Sequence, residues 1–96
     1  SVIGLLYEVL CMSGDLLDSA DDKVLADVMR RLITHLQNRT DVQNISLMEL
    51  SGFCRNCLSK WYYESSKGTA CEVSIDEAKM IVYGMDYVAW KKKYQI

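Results

Sequence analysis

The sequence predicts an all-α fold, an orthogonal array of about four helices in a single small domain, on three observations. Apolar residues recur at helical spacing in separate stretches; Ser/Asp caps and glycines punctuate those stretches; and no alternating run rich in Val, Ile and Thr competes. Ninety-six residues, half of them apolar and none of them proline, suit one core rather than two. In chain order, the polar stretch Ser13 to Asp22 first separates an apolar N-terminal segment, Val2 to Met12, from the rest. That segment is either an extra helix across the array or an arm reaching a neighbour. Ser19 with Asp22 resembles a helix start, and Val24, Leu25, Val28, Met29, Leu32 and Leu36 then fall on one stripe. This predicts a first long helix ending near Asn38.

Ser46 and Glu49 have capping-box spacing and open a second helix, on which Leu50, Cys54, Cys57, Leu58 and Trp61 share an arc of about 100°. It is expected to run through Gly52, since an interior glycine costs only about 1 kcal/mol, and to stop near Gly68. Ser74 and Glu77 repeat the box. Ile75, Ala78, Ile81, Val82 and Met85 line a third helix, with Gly84 as the residue after its end. Asp86 caps a short fourth helix, on which Tyr87, Trp90 and Tyr94 share a face and Lys91, Lys92 and Lys93 sit where the dipole favours cations. The last two helices are too short to line the first two, which favours an orthogonal array over a parallel bundle.

Charge and composition exclude several functions. Eleven Lys and Arg against 13 Asp and Glu give a net charge of −2, without the basic excess that sequence-independent nucleic-acid binding needs. Val2 to Met12 is broken by Glu8 and falls short of the roughly 20 residues that cross a bilayer, so no membrane association is expected. It also lacks the basic start and small-residue cleavage site of a signal peptide. Four cysteines, Cys11, Cys54, Cys57 and Cys71, are too few and too unevenly spread for a disulfide-stapled secreted miniprotein. Free thiols and a cytoplasmic location follow, with the glycosylation triplets at Asn38 and Asn44 unused.

Cys54-Arg55-Asn56-Cys57 carries the one chemical signature in the chain, because two thiols at this spacing can share a metal or close a small redox ring. A closed metal site needs further ligands, and the candidates are Cys71 and the lone His35, with Cys11 more distant in sequence. Helical phase places both thiols on the stripe of Leu50, Leu58 and Trp61 with Arg55 and Asn56 pointing away, so burial as small hydrophobes ranks ahead of metal binding and redox work. If Gly52 broke the helix, Cys54 would stand at a helix N-terminus and the redox reading would gain. His35 borders the first apolar stripe, where a backbone or carboxylate partner is expected. With Asp41 and Cys54 it is also the candidate set for a cysteine-nucleophile enzyme. The loop Arg39 to Asn44 reads as a turn in which Asp41 or Asn44 bonds nearby backbone N–H groups. No cofactor-binding motif is present.

The segments His35 to Tyr62 and Asp76 to Gln95, with the runs Asp41-Val-Gln-Asn44 and Gly52-Phe-Cys-Arg-Asn-Cys-Leu58, resemble a family of small bacterial proteins, domain of unknown function 1244. The resemblance covers Val24 to Gln95 and implies an all-helical fold with no established activity. Asp86 stands where the family's segment carries proline, a mild change because both residues start helices. Residues 1 to 19 lie outside the resemblance.

Trp61, Tyr62 and Tyr63 are consecutive and fan through about 200°, so they cannot all enter one core, and Tyr63 is expected to face outward. Tyr beside Trp and Arg is typical of association surfaces, which predicts a homodimer through the second helix. The sequence thus reads as a protein-association or regulatory module, with a metal or thiol-redox site at Cys54 and Cys57 as the alternative.

Overall fold

A computed structural model describes residues 15–96; the segment Val2 to Met12 and Cys11 lie outside the described residues. All regular structure among them is helical: α1 (Asp15–Asp18), α2 (Asp22–Asn38), α3 (Asn44–Ser51), α4 (Arg55–Ser66), α5 (Ile75–Tyr83) and α6 (Tyr87–Tyr94). The all-α expectation holds, with six helices among the described residues in place of about four. None of these helices is long and apolar enough to cross a membrane.

The chain divides into two compact units, Ser1–Arg31 and Leu32–Ile96. In the first, Asp21 rather than Ser19 opens α2: its carboxylate accepts from Val24 N–H at 3.0 Å and its carbonyl from Leu25 N–H at 3.0 Å. A carboxylate here satisfies a donor that the helix leaves orphaned. The apolar stripe is real in sequence, yet Val24, Leu25, Val28 and Met29 are exposed. Burial begins further along, at Leu32 and Leu36.

The second unit is built around Leu36, Leu58, Val82, Tyr83 and Trp90, with Leu32, Leu47, Phe53, Met85, Tyr87 and Tyr94 packed against them. Here α4 lies along α5, and α5 contacts α6. Local chemistry sets the ends of these last helices. Ser74 and Glu77 form the expected capping box, with Glu77 N–H donating to Ser74 Oγ at 3.1 Å and Ser74 N–H to Glu77 Oε1 at 3.2 Å. Asp86 caps α6 through Ala89 N–H at 3.1 Å. Tyr83 and Tyr94 flank Trp90 on the aromatic face expected of α6, with centroids 5.0 and 5.7 Å away.

Two expectations fail in the middle of the chain. The box at Ser46 is not used: α3 starts three residues earlier, after Gln43, whose side chain makes no cap. Instead the Gln43 amide clamps the C-terminal residues, donating to the Tyr94 carbonyl at 2.9 Å and accepting from Ile96 N–H at 3.2 Å. The second helix does not run through Gly52 either. Gly52 adopts φ 78°, its N–H closes α3 on the Met48 carbonyl at 2.9 Å, and α4 restarts at Arg55. Leu50, expected inside, is 88% exposed as a result.

Gly84 repeats this left-handed ending after α5 with φ 73°, but its surroundings differ. Gln37 donates from Nε2 to the carbonyls of Ile81 and Val82, each at 3.2 Å, so a side-chain amide from α2 caps the end of α5. A Cβ at Gly84 would lie 2.9 Å from the Gln37 amide carbon, whereas at Gly52 it would meet nothing within 4 Å. Gly52→Ala is therefore expected to cost only the left-handed penalty of about 1–2 kcal/mol. Gly84→Ala should cost about 1 kcal/mol more, from displacing the cap. Equal losses by chemical denaturation would contradict the role given to Gln37.

Candidate thiol site

The break at Gly52 decides where the cysteines stand. Cys54 is the residue preceding the first turn of α4, in extended backbone with φ −144° and ψ −176°, and Cys57 is the third residue of the helix. Their Sγ atoms are 3.8 Å apart, and the Cys57 sulfur also lies 3.7 Å from Met48 Sδ on α3. Cys54 is buried and Cys57 half-buried. The two sulfurs therefore meet at a helix N-terminus, where backbone N–H groups point outward and a negative charge is favoured. The expectation of a helix running through Gly52 therefore fails, and the arrangement is the one under which the redox reading gains.

The residues between the thiols correct a second expectation. Arg55 and Asn56 do not point away; Arg55 is 1% exposed. Its Nη1 donates to the Val42 carbonyl at 2.8 Å and to Asn44 Oδ1 at 3.0 Å. Its Nη2 donates to the carbonyls of Arg39 at 2.7 Å and Leu36 at 3.2 Å, while Nε has no partner. The guanidinium thus caps the C-terminal end of α2, the negative pole of that helix, and lies 5.0 Å from the Trp90 ring centroid. No carboxylate pairs with it within ion-pair distance among the described residues. Burial pulls the Arg55 pKa down, opposed by Tyr83, Cys54 and Asp41.

Asn56 joins a polar chain. Tyr83 Oη donates to Asn56 Oδ1 at 2.7 Å and accepts from Asn44 Nδ2 at 3.0 Å, and Asn56 Nδ2 reaches Tyr87 Oη at 3.3 Å. Burial pushes the Tyr83 phenol far above its ordinary range, so it acts as a neutral donor. Asn44, Asn56 and Tyr87 also line a cavity of about 340 Å³ with Gln43, Ile45, Gln95 and Ile96. Asn44, Met48, Tyr83 and Tyr87 were not singled out as site residues. The signal for Tyr83 was available, since a tyrosine buried on an apolar helix needs a hydroxyl partner.

Other candidates are not brought to the thiols. His35 is exposed on α2 and Cys71 is exposed between α4 and α5. Among the described residues no three or more His, Cys, Asp or Glu side chains gather as a metal group, so the set Cys54, Cys57, Cys71 and His35 is not assembled. The Asp41 carboxylate is held by Arg39, with Oδ1 3.1 Å from Nε and Oδ2 3.1 Å from Nη2, and a hydrogen bond from its own backbone N–H adds to that. That pairing lowers the Asp41 pKa, so its small stabilising effect is present above the ordinary carboxylate range and is lost as pH falls through the lowered value.

The aromatic run also differs in phase. Trp61 is 53% exposed although its ring stacks on Phe53 at 6.1 Å, Tyr62 is exposed, and Tyr63, expected outside, is half-buried beneath Lys67 Nζ at 4.5 Å.

Fold and site together define a small all-helical protein with a C-x-x-C pair at the start of a helix. Residues 42–96, more than half of the chain, match the family model described as protein of unknown function (DUF1244), and the chain belongs to that family. No curated protein matches it.

Proposed function

We propose that the chain is a thiol–disulfide module in which Cys54 and Cys57 interconvert between a dithiol and a disulfide. The observation that carries this reading is the 3.8 Å contact of the two sulfurs at the N-terminus of α4, with Cys57 the more accessible. The Cys57 sulfur attacks a low-molecular-weight disulfide and releases one thiol. The Cys54 sulfur then attacks Cys57 of the mixed disulfide and releases the second. Two S–H bonds of the chain are replaced by one S–S bond, and the oxidant is reduced to two thiols. The developing thiolates stand at the N-terminus of α4, which favours negative charge, and Cys54 also interacts electrostatically with Arg55. A reducing compartment, the cytosol, keeps the resting state a dithiol.

Trapping tests the assignment of roles. After exposure to glutathione disulfide, Cys54→Ser should accumulate a glutathione adduct at Cys57, whereas Cys57→Ser should accumulate little at the buried Cys54. Peptide mass spectrometry finding no adduct on Cys57 in the first variant would sink the reading.

Exposed Trp61 and Tyr62 on α4 support a second reading, association of two copies through this helix in a regulatory role. Light scattering giving a monomer mass at high micromolar concentration would remove it.

A further inference from the structure

The sulfur chemistry extends beyond the two cysteines. Cys57 Sγ is in contact with two other sulfurs, Cys54 Sγ at 3.8 Å and Met48 Sδ at 3.7 Å. We infer that Cys54, Cys57 and Met48 form a binding site for a soft monovalent cation, Cu(I). First-row metal–thiolate bonds are about 2.3 Å long, so sulfurs sharing one ion stand about 3.8–4.0 Å apart in tetrahedral or trigonal geometry. Both separations already fall at or just below that spacing.

The donor set selects the metal. Two thiolates and a thioether are soft ligands that suit Cu(I), whereas zinc takes thiolate, imidazole or carboxylate, and no imidazole or carboxylate joins these sulfurs in a group of three among the described residues. The backbone around the site is already fixed. Gly52 ends α3 so that Met48, one turn before it, faces the start of α4. The Met48 side chain is exposed and unbranched, so its thioether can swing to close the third edge and gives the ion a path in from solvent. Binding displaces the two thiol protons, and the resulting Cu(I) dithiolate carries one net negative charge. The N-terminus of α4 and the Arg55 guanidinium, which has no carboxylate partner among the described residues, compensate that charge.

This inference rests on the dithiol of the proposed function but not on its oxidation. The test is an anaerobic titration of the reduced full chain against Cu(I) held by a colorimetric chelator, with X-ray absorption of the loaded protein. Wild type should withdraw one Cu(I) per chain, with sulfur scatterers at about 2.3 Å. Met48→Leu, a volume-conserving swap at an exposed position, should weaken binding by at least about tenfold, a loss seen even for outer-sphere partners of metals. Closure of the Cys54–Cys57 disulfide is read separately on wild type, by alkylation after exposure to glutathione disulfide. Cu(I) left on the chelator by wild type, or held equally by Met48→Leu, would overturn the site. Copper binding without disulfide formation would instead refute the redox reading and leave the metal site standing.

Discussion

Arg55→Met is expected to destabilise the fold by about 3–5 kcal/mol, a large share of the roughly 5–15 kcal/mol that holds a domain of this size together. The guanidinium serves four acceptors, the carbonyls of Leu36, Arg39 and Val42 and the Asn44 side chain. Buried acceptors left without a donor cost about 1–3 kcal/mol each, so complete abandonment of all four would take about 4–12 kcal/mol, comparable to total stability. Two effects reduce the sum: water can enter at the partly buried acceptors, and removing the cation relieves its own desolvation. The residual is still severe, because carbonyls at the end of α2 cannot turn away as a carboxylate side chain could. Arg55→Lys keeps the charge but offers a single nitrogen in place of a planar fork, and should recover less than half of the loss. Denaturant unfolding should show the midpoint falling with an unchanged slope. A loss below about 1 kcal/mol would mean that the acceptors find other donors.

Trp90→Ala should cost a similar amount, about 3–5 kcal/mol, by a different cause. Trp90 is 2% exposed and fills the space between Tyr83 and Tyr94 while its face receives Arg55. Truncation opens a cavity in the centre of the core cluster and also strips the guanidinium of its aromatic cover. Trp90→Phe retains a ring and should lose only about 1–3 kcal/mol. Because Arg55 and Trp90 touch, their losses should not add: the double variant should fall short of the sum by about 0.5–2 kcal/mol, the range of a desolvated cation–π contact. Strict additivity would separate the two effects and weaken the claim that the Arg55 guanidinium and the Trp90 ring stabilise one another.

The parts of this fold that depend on nearby residues were legible in the sequence. Ser74 with Glu77, and Asp86, state their helix starts within three residues, and Gly84 marks an end because a left-handed residue is required there. Gly52 shows the limit of such reasoning. As an interior residue it would cost about 1 kcal/mol and as a terminator almost nothing, too narrow a difference to decide from local pattern. The missed break rotated the assigned faces: Leu50 turned outward, Arg55 inward, and the cysteines became the start of a helix. Arg55 itself was illegible for another reason. Its acceptors are mostly backbone carbonyls 13 to 19 residues away, which carry no side-chain signature. Tyr83 announces that it needs a hydroxyl partner, but that the partner is Asn56, 27 residues away, carries no local signal.

Reversible closure of the Cys54–Cys57 pair is the claim on which the functional account stands, and a redox titration of the native chain tests it most directly. The protein is equilibrated across dithiol and glutathione buffers, quenched by alkylation and mapped by peptide mass spectrometry. The account predicts an intramolecular Cys54–Cys57 disulfide that forms and reverses with buffer poise, its midpoint within the range of about −270 to −120 mV spanned by catalytic C-x-x-C pairs. Both cysteines remaining alkylatable as free thiols at the oxidising end, in protein that stays folded, would contradict it.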